Sequence, residues 1–252
     1  MIIMNKNVKD YTLQYFELIC TAYLKNDIAF QKSFEVISKY VSFSMAQTPQ
    51  LQELHNQERR FKYYTFGSFF PVERAKVYKK GSLYTFTLRS LDESFIDTLT
   101  QALTQNTSNP HFLVVETQKR KIKEFFISEL YSVIPVVVSS ERGLFWTLDR
   151  DGDIVKLQRL LHDNLEKKYN DFYGEKLKPL QNFIQLLEIK NQKPQKIWTK
   201  KGEKEFFFLG NKFKIIPNED EVSQKLAFLA LGAGLGEKNS FGGGFCVAKG
   251  MR

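Results

Sequence analysis

The sequence predicts an α+β protein built as two tandem ferredoxin-like (RRM-like, βαββαβ) domains. Strand-type and helix-type periodicities follow one another as βαββαβ from Tyr15 to Gln118, and the same order begins again after a basic stretch. The length, 252 residues with 42% hydrophobic composition, suits two cores of about 120 residues each. The expected division is 1–118 for the N-terminal domain and 119–252 for the C-terminal domain, with a glycine-rich loop at 232–244 in the second.

Each element has its own signal. Tyr15 to Leu24 alternates apolar and polar residues, as a half-buried strand does, and from Phe30 the spacing changes to Phe30, Phe34, Ile37 and Val41, which is helical. FKYYTFGSFF and SLYTFTLRSL are rich in β-formers and flank a basic YKKG turn, predicting two strands joined as a hairpin. DESFIDTLTQAL is a helix with Asp92 as N-cap, and FLVVETQ a strand. Beyond KRKIK (119–123) the second half predicts a strand through FFISELYSVIPVVV and a helix carrying Ile154, Leu157, Leu161, Leu165 and Phe172 on one stripe. FIQLLEIK and EFFFLGNKFKII predict two strands, the second turned at Gly210 and Asn211. EVSQKLAFLALG is a helix and GFCVA the last strand. The halves share little sequence, so the repeat rests on element order.

Lys and Arg total 37 against 28 Asp and Glu, a net charge of +9, which favours a polyanionic partner. The two cysteines, Cys20 and Cys246, stand in apolar contexts without a CxxC pair, so zinc ligation and a disulfide framework are not expected. The N-terminus lacks a signal-peptide layout and LAFLALGAGLG is too short to span a bilayer, so the expectation is a soluble cytoplasmic protein with no membrane partner. A ferredoxin-like sheet with basic charge raises the RNA reading, but no stretch has the RNP1 aromatic pattern and most of the 23 phenylalanines read as core.

Six of the 14 glycines fall within 232–244, in GAGLGEKNSFGGGF. This is neither a Walker loop, since Glu237, Lys238 and Asn239 follow Gly236, nor a Rossmann loop, which runs from strand to helix. Here a helix comes before and a strand after. Gly234, Gly236, Gly242 and Gly244 permit positive φ and close backbone approach, and with Lys238, Asn239 and Ser240 they suggest a cradle offering N–H groups and charge to RNA phosphates. A glycine-rich turn that merely closes a helix is the plainer alternative.

GLGEKNSFGGGFCV resembles the C-terminal glycine-rich signature of the CRISPR-associated repeat-processing endoribonucleases, the "Cas six" family of the RAMP superfamily. ELHNQERRFKYYTFGSF resembles that family's leucine–histidine segment and aromatic strand, SVIPVVVSSERG the strand opening its second domain, and LHDNLEKKYNDFYG the helix that follows. The resemblance runs from about Leu51 to the end. It implies cleavage of CRISPR precursor RNA within the repeats without metal or cofactor, by attack of a 2′-OH on its own phosphate, leaving 2′,3′-cyclic phosphate and 5′-OH ends. It also implies repeat RNA as partner, effector-complex subunits as further partners, and a monomer or homodimer.

Such chemistry requires a base, an acid and positive charge at the phosphorane. Of three histidines, His111 precedes a strand and His162 sits beside an apolar helical stripe, so both read as structural or surface residues. His55 ends a helix before a basic aromatic segment and coincides with the family's catalytic histidine; Lys62 falls where the family places a catalytic lysine, with Arg59 or Arg60 as alternatives. The tyrosine that some members contribute from the first helix is not matched, since Phe34 and Glu35 are nearest and Tyr40 lies further along. DRDGD (149–153) starts like a calcium loop, but Ile154 and Leu160 stand where Gly and Glu are needed, so it reads as a turn with Asp153 as N-cap and no metal is expected. The competing function is a non-catalytic RAMP subunit that binds guide RNA, for which His55 would have no task.

Overall fold

The computed structural model describes residues 12–56, 61–140, 143–201 and 203–251. The first half runs β1 (Gln14–Leu24), β2 (Ile28–Ala29), α1 (Phe30–Ala46), α2 (Pro49–Asn56), β3 (Tyr64–Phe66), β4 (Val77–Tyr78), β5 (Leu83–Ser90), α3 (Glu93–Gln105) and β6 (Phe112–Lys123). The second runs β7 (Phe126–Ser132), α4 (Ile154–Tyr173), β8 (Ile184–Ile189), β9 (Gln195–Lys201), β10 (Lys204–Gly210), β11 (Phe213–Pro217), α5 (Glu221–Ala233) and β12 (Cys246–Met251). The two four-stranded sheets are ordered β3-β5-β1-β6 and β12-β7-β11-β8, all antiparallel where paired. In both, the first strand lies between the third and fourth, which is the ferredoxin-like order.

Local chemistry explains the helices. In α3 and α4 the carboxylates of Asp92 and Asp153 accept from the N–H groups of Phe95 and Lys156, as N-caps do. Gly174 ends α4 in the left-handed conformation, and Asp220 caps α5 through Ser223. Along β1 the residues Phe16, Leu18, Cys20 and Ala22 all face one core shared with α1 and α3.

Several elements differ from expectation. β7 stops at Ser132, and Val136, Val137 and Ser139 beyond it make only isolated bridges, because Pro135 removes a ladder donor. EFFFLGNKFKII is two strands in different sheets: β10 pairs with β9 in a separate ribbon, and only β11 joins the main sheet. The strands from FKYYTFGSFF and SLYTFTLRSL do pair antiparallel as β3 and β5, but the connection between them is longer than the YKKG turn and includes β4, which pairs with β2. The basic stretch 119–123 completes β6, an edge strand where long lysines reach solvent; Lys119 pairs with Glu93 and Asp97.

The halves pack on each other through α5. Gly232 in that helix leaves no room for a side chain, since a Cβ would lie 2.7 Å from both Leu91 Cδ2 and Tyr15 Cβ. Arg89 on β5 donates to Glu17 and to the carbonyl of Cys246, with its guanidinium 4.5 Å from the Phe245 ring. Both cysteines are fully buried. Among the described residues no helix is long and apolar enough to cross a membrane.

Candidate active site

Helix α1 carries four residues at a spacing of four, Phe30, Phe34, Ser38 and Ser42, which places them along one face. Ser42 Oγ lies 3.0 Å from His55 Nε2, and one turn earlier Ser38 Oγ donates to the carbonyl of Ser240 in the glycine loop at 2.9 Å. The expected base and the expected RNA grip therefore meet the same helix about 6 Å apart along its axis.

His55 is half-buried at the end of α2. Its Nδ1 lies 3.1 Å from Asn56 Oδ1, an acceptor, so the hydrogen-bond network assigns the neutral ring a proton on Nδ1 and a lone pair on Nε2. Ser42 then donates into that lone pair. Lys62 Nζ donates to the main-chain carbonyl of His55 at 3.0 Å, bringing the two expected catalytic residues together, and burial pulls the pKa of Lys62 below its ordinary value. Arg59 and Arg60 lie outside the described residues.

The other candidates are occupied elsewhere. His162 is buried in α4 and its Nδ1 accepts from the Phe183 N–H at 3.0 Å, a satisfied core histidine. His111 is exposed in the loop before β6. The Tyr40 hydroxyl is buried and donates to the Leu103 carbonyl, so its proton is already committed to the core. Asp151 accepts from the Thr147 N–H, so DRDGD is a turn leading into the α4 cap.

The glycine loop is not the open cradle its composition suggests. Gly234, Gly236, Gly242 and Gly244 are buried, and the N–H groups of Leu235, Glu237, Phe241, Gly242, Gly243 and Gly244 are all taken by backbone carbonyls. The glycines serve close packing: at Gly244, with φ of +68°, a Cβ would stand 1.9 Å from the Leu235 carbonyl oxygen. The loop's reachable part is the single 3₁₀ turn Asn239–Phe241 and Lys238 before it, which also has positive φ and holds its ammonium 5.5 Å from the Phe208 ring.

What fixes this loop is a residue that sequence reading passed over. Lys168 of α4 is 2% exposed, and its Nζ donates to the carbonyls of Gly234 and Gly236, both at 2.7 Å, and to Asn239 Oδ1 at 2.8 Å. Three acceptors match the three N–H bonds of an ammonium. Burial pushes its pKa down to about 7, partly offset by Cys246 and Glu237. Asn239 also donates to the carbonyls of Leu235 and Gly243, and Glu237 accepts from the N–H and hydroxyl of Ser139. The signal was present: Lys168 follows Leu157, Leu161 and Leu165 on the buried stripe, where an unpaired cation would be too costly.

The profile of the family described as CRISPR associated protein Cas6, C-terminal, matches residues 115–247, more than half of the chain. This chain belongs to the Cas6 family. A curated Cas6 relative, the CRISPR-associated endoribonuclease Cas6 2 of Methanocaldococcus jannaschii, is 29% identical over 235 residues, covering 88% of this chain and 94% of its own. Among solved structures, a CRISPR associated protein Cas6 superposes with a TM-score of 0.68 at 19% identity, covering 93% of this chain and 99% of that one. A RAMP protein described as binding different RNA substrates gives 0.65 at 16% identity, with 93% and 99% covered. A Cas6 product complex gives 0.61 at 14% identity, with 95% and 100% covered. At these identities the structures speak for the fold, which is the tandem ferredoxin-like arrangement of the Cas6 and RAMP proteins.

Proposed function

We propose that this Cas6 protein is an endoribonuclease that cuts CRISPR precursor RNA within the repeats, with His55 as general base. The observation that carries this reading is the placement of His55 Nε2 against Ser42, one turn along α1 from the point where Ser38 holds the glycine loop. The M. jannaschii relative named as a Cas6 endoribonuclease supports the reaction class.

In the free protein the Ser42 hydroxyl fills the position that a ribose 2′-OH would take. A 2′-OH entering there would give its proton to Nε2 as its oxygen attacks the adjacent phosphorus. The bond to the 5′ oxygen breaks, and the products are a 2′,3′-cyclic phosphate and, once the leaving oxygen takes a proton, a 5′-OH. Lys62 supplies positive charge beside the phosphorane, and its lowered pKa brings it nearer to donating that proton. Lys238, Asn239 and Ser240 would contact the strand, with Gly234, Gly236, Gly242 and Gly244 as the rigid base beneath them. No step is routed through a metal.

The test is end-labelled repeat RNA incubated in EDTA with wild-type protein and with His55→Ala. A single cut with a cyclic phosphate terminus is expected from the wild type, slowed at least about 10²-fold in the variant. Binding without cutting by both proteins would make this chain a guide-RNA scaffold instead.

A further inference from the structure

The α1 face that meets His55 and the glycine loop continues to a second feature. Phe30 and Phe34, at the N-terminal end of that stripe, line an open pocket of about 480 Å³ whose opposite wall is the β9–β10 ribbon with Trp198 and Lys196 and whose rim carries Lys212. This size is in the range of small-molecule sites. Phe30 and Phe34 meet edge to face at 5.5 Å, and Trp198 is braced by Phe207 at 5.0 Å, so the rings are held in place by other rings.

The charge around these rings is uncompensated. Lys196 lies over Trp198 and Phe207 at 5.3 and 4.3 Å, and Lys76 lies 5.3 Å from the Phe30 ring. Among the described residues none of Lys76, Lys196 and Lys212 has a carboxylate within 4 Å, whereas nearby Glu205 is held by Lys32 and Glu35 by Lys32 and Lys39. Lys212 is half-buried, and burial together with the Lys76 charge lowers its pKa. Like charges gathered around an aromatic-walled pocket call for a ligand that is both planar and anionic, which is the description of a nucleotide.

The pocket also joins the candidate active site physically. A Cβ on Gly242 would lie 3.2 Å from Phe34, so the loop floor and the pocket wall are the same side chain. From Phe30 to Ser42 the helix spans about 18 Å. At the phosphate spacing of a stacked strand this is about five nucleotides, and fewer where the strand is stretched.

We infer that this pocket takes one unpaired nucleobase of the bound RNA, no more than about five nucleotides from the cut, stacked against Phe30 and Trp198 over the buried edge of Phe34, with its phosphate on Lys196 and Lys212. The inference rests on the proposed RNA-cutting function and adds a specificity-bearing subsite to it. A stacked base on this scale contributes about tenfold or more in affinity.

The test is an abasic scan. Repeat RNAs carrying one abasic nucleotide at each unpaired position within five nucleotides on either side of the cut are bound to wild-type protein, to Trp198→Ala and to Lys212→Met. One position is expected to weaken wild-type binding about tenfold, and to cost nothing further in Trp198→Ala. Lys212→Met is expected to leave that position's sensitivity in place while lowering the salt slope of binding by about one. A flat scan, or a sensitive position equally sensitive in Trp198→Ala, overturns the assignment. Cutting of the intact RNA in the same samples separates the two claims: if the wild type cuts and the scan is flat, only the pocket falls, and if it neither binds nor cuts, the proposed function falls as well. Adenosine monophosphate is titrated alone against Trp fluorescence; saturation of the pocket by the free nucleotide beside a flat scan would assign it to a soluble ligand and contradict a strand-bound base.

Discussion

Two regions that meet on helix α1 are held in opposite ways. His55 stands half-buried at the end of an eight-residue helix, with one ring nitrogen on Ser42 and the other on Asn56. The glycine loop six ångströms along the helix axis is buried, bonded through most of its backbone and tied down three times by Lys168. A proton-transfer group has to exchange its partner for substrate during the reaction, so light tethering suits it. A surface that holds a phosphate backbone in register gains from having no freedom to lose on binding. The difference teaches that the glycines here give rigidity, although the residue is better known for the reverse.

Substitutions should divide along this line. The largest effect is expected at His55: His55→Ala lowers the single-turnover cutting rate by about 10² to 10⁴ without changing the unfolding midpoint, and an unfolding change of comparable size would mean that the residue is structural. Gly244→Ala comes next and acts on stability, because it combines left-handed strain with a Cβ pressed on the Leu235 carbonyl. A loss of about 2–5 kcal/mol is expected in denaturant unfolding, and an unchanged midpoint would show the loop to be looser than described. Lys62→Ala should slow cutting by about 10² while leaving the fold intact.

Lys168 sharpens the comparison through pH. Its folded pKa of about 7 lies below the ordinary value, so between about pH 7 and 10.4 the unfolded chain holds a proton that the folded chain has released. Stability from this group therefore rises with pH across that window, by at most about 1.4 kcal/mol per pH unit. Below pH 7 both states are protonated and the contribution is flat. Lys168→Met should remove that rise from the difference between wild-type and variant unfolding curves, and parallel curves would contradict it. The smallest effect is expected at Ser42: Ser42→Ala removes one hydrogen bond to a group that substrate also engages, and should alter cutting by no more than about tenfold. A loss as deep as that of His55→Ala would place Ser42 in the chemistry itself.

Much of this architecture was legible in the residues. The helices announced themselves by spacing and by Asp92 and Asp153 at their caps, and the histidine segment and the glycine signature pointed to the two regions that α1 unites. The β9–β10 ribbon was not legible, because EFFFLGNKFKII is a single run of β-formers and nothing local says that its two halves join different sheets. The glycine loop was misread in its physics, since composition gives conformational freedom but not whether the freedom serves exposure or close packing. Lys168 was hidden by its type: a lysine beside other charged residues reads as solvated until its place on the Leu157–Leu161–Leu165 stripe is counted. Ser42 carries no motif at all, and only the fold brings it to His55.

The central claim is a division of labour between a lightly held base and a rigid grip. The most direct measurement is the dissociation constant and the single-turnover rate on the same repeat RNA for wild type, His55→Ala and Lys168→Met. The account predicts that His55→Ala loses rate and keeps affinity, while Lys168→Met loses affinity and, once saturated with RNA, keeps most of its rate. Loss of affinity in His55→Ala with its rate preserved at saturation would contradict it.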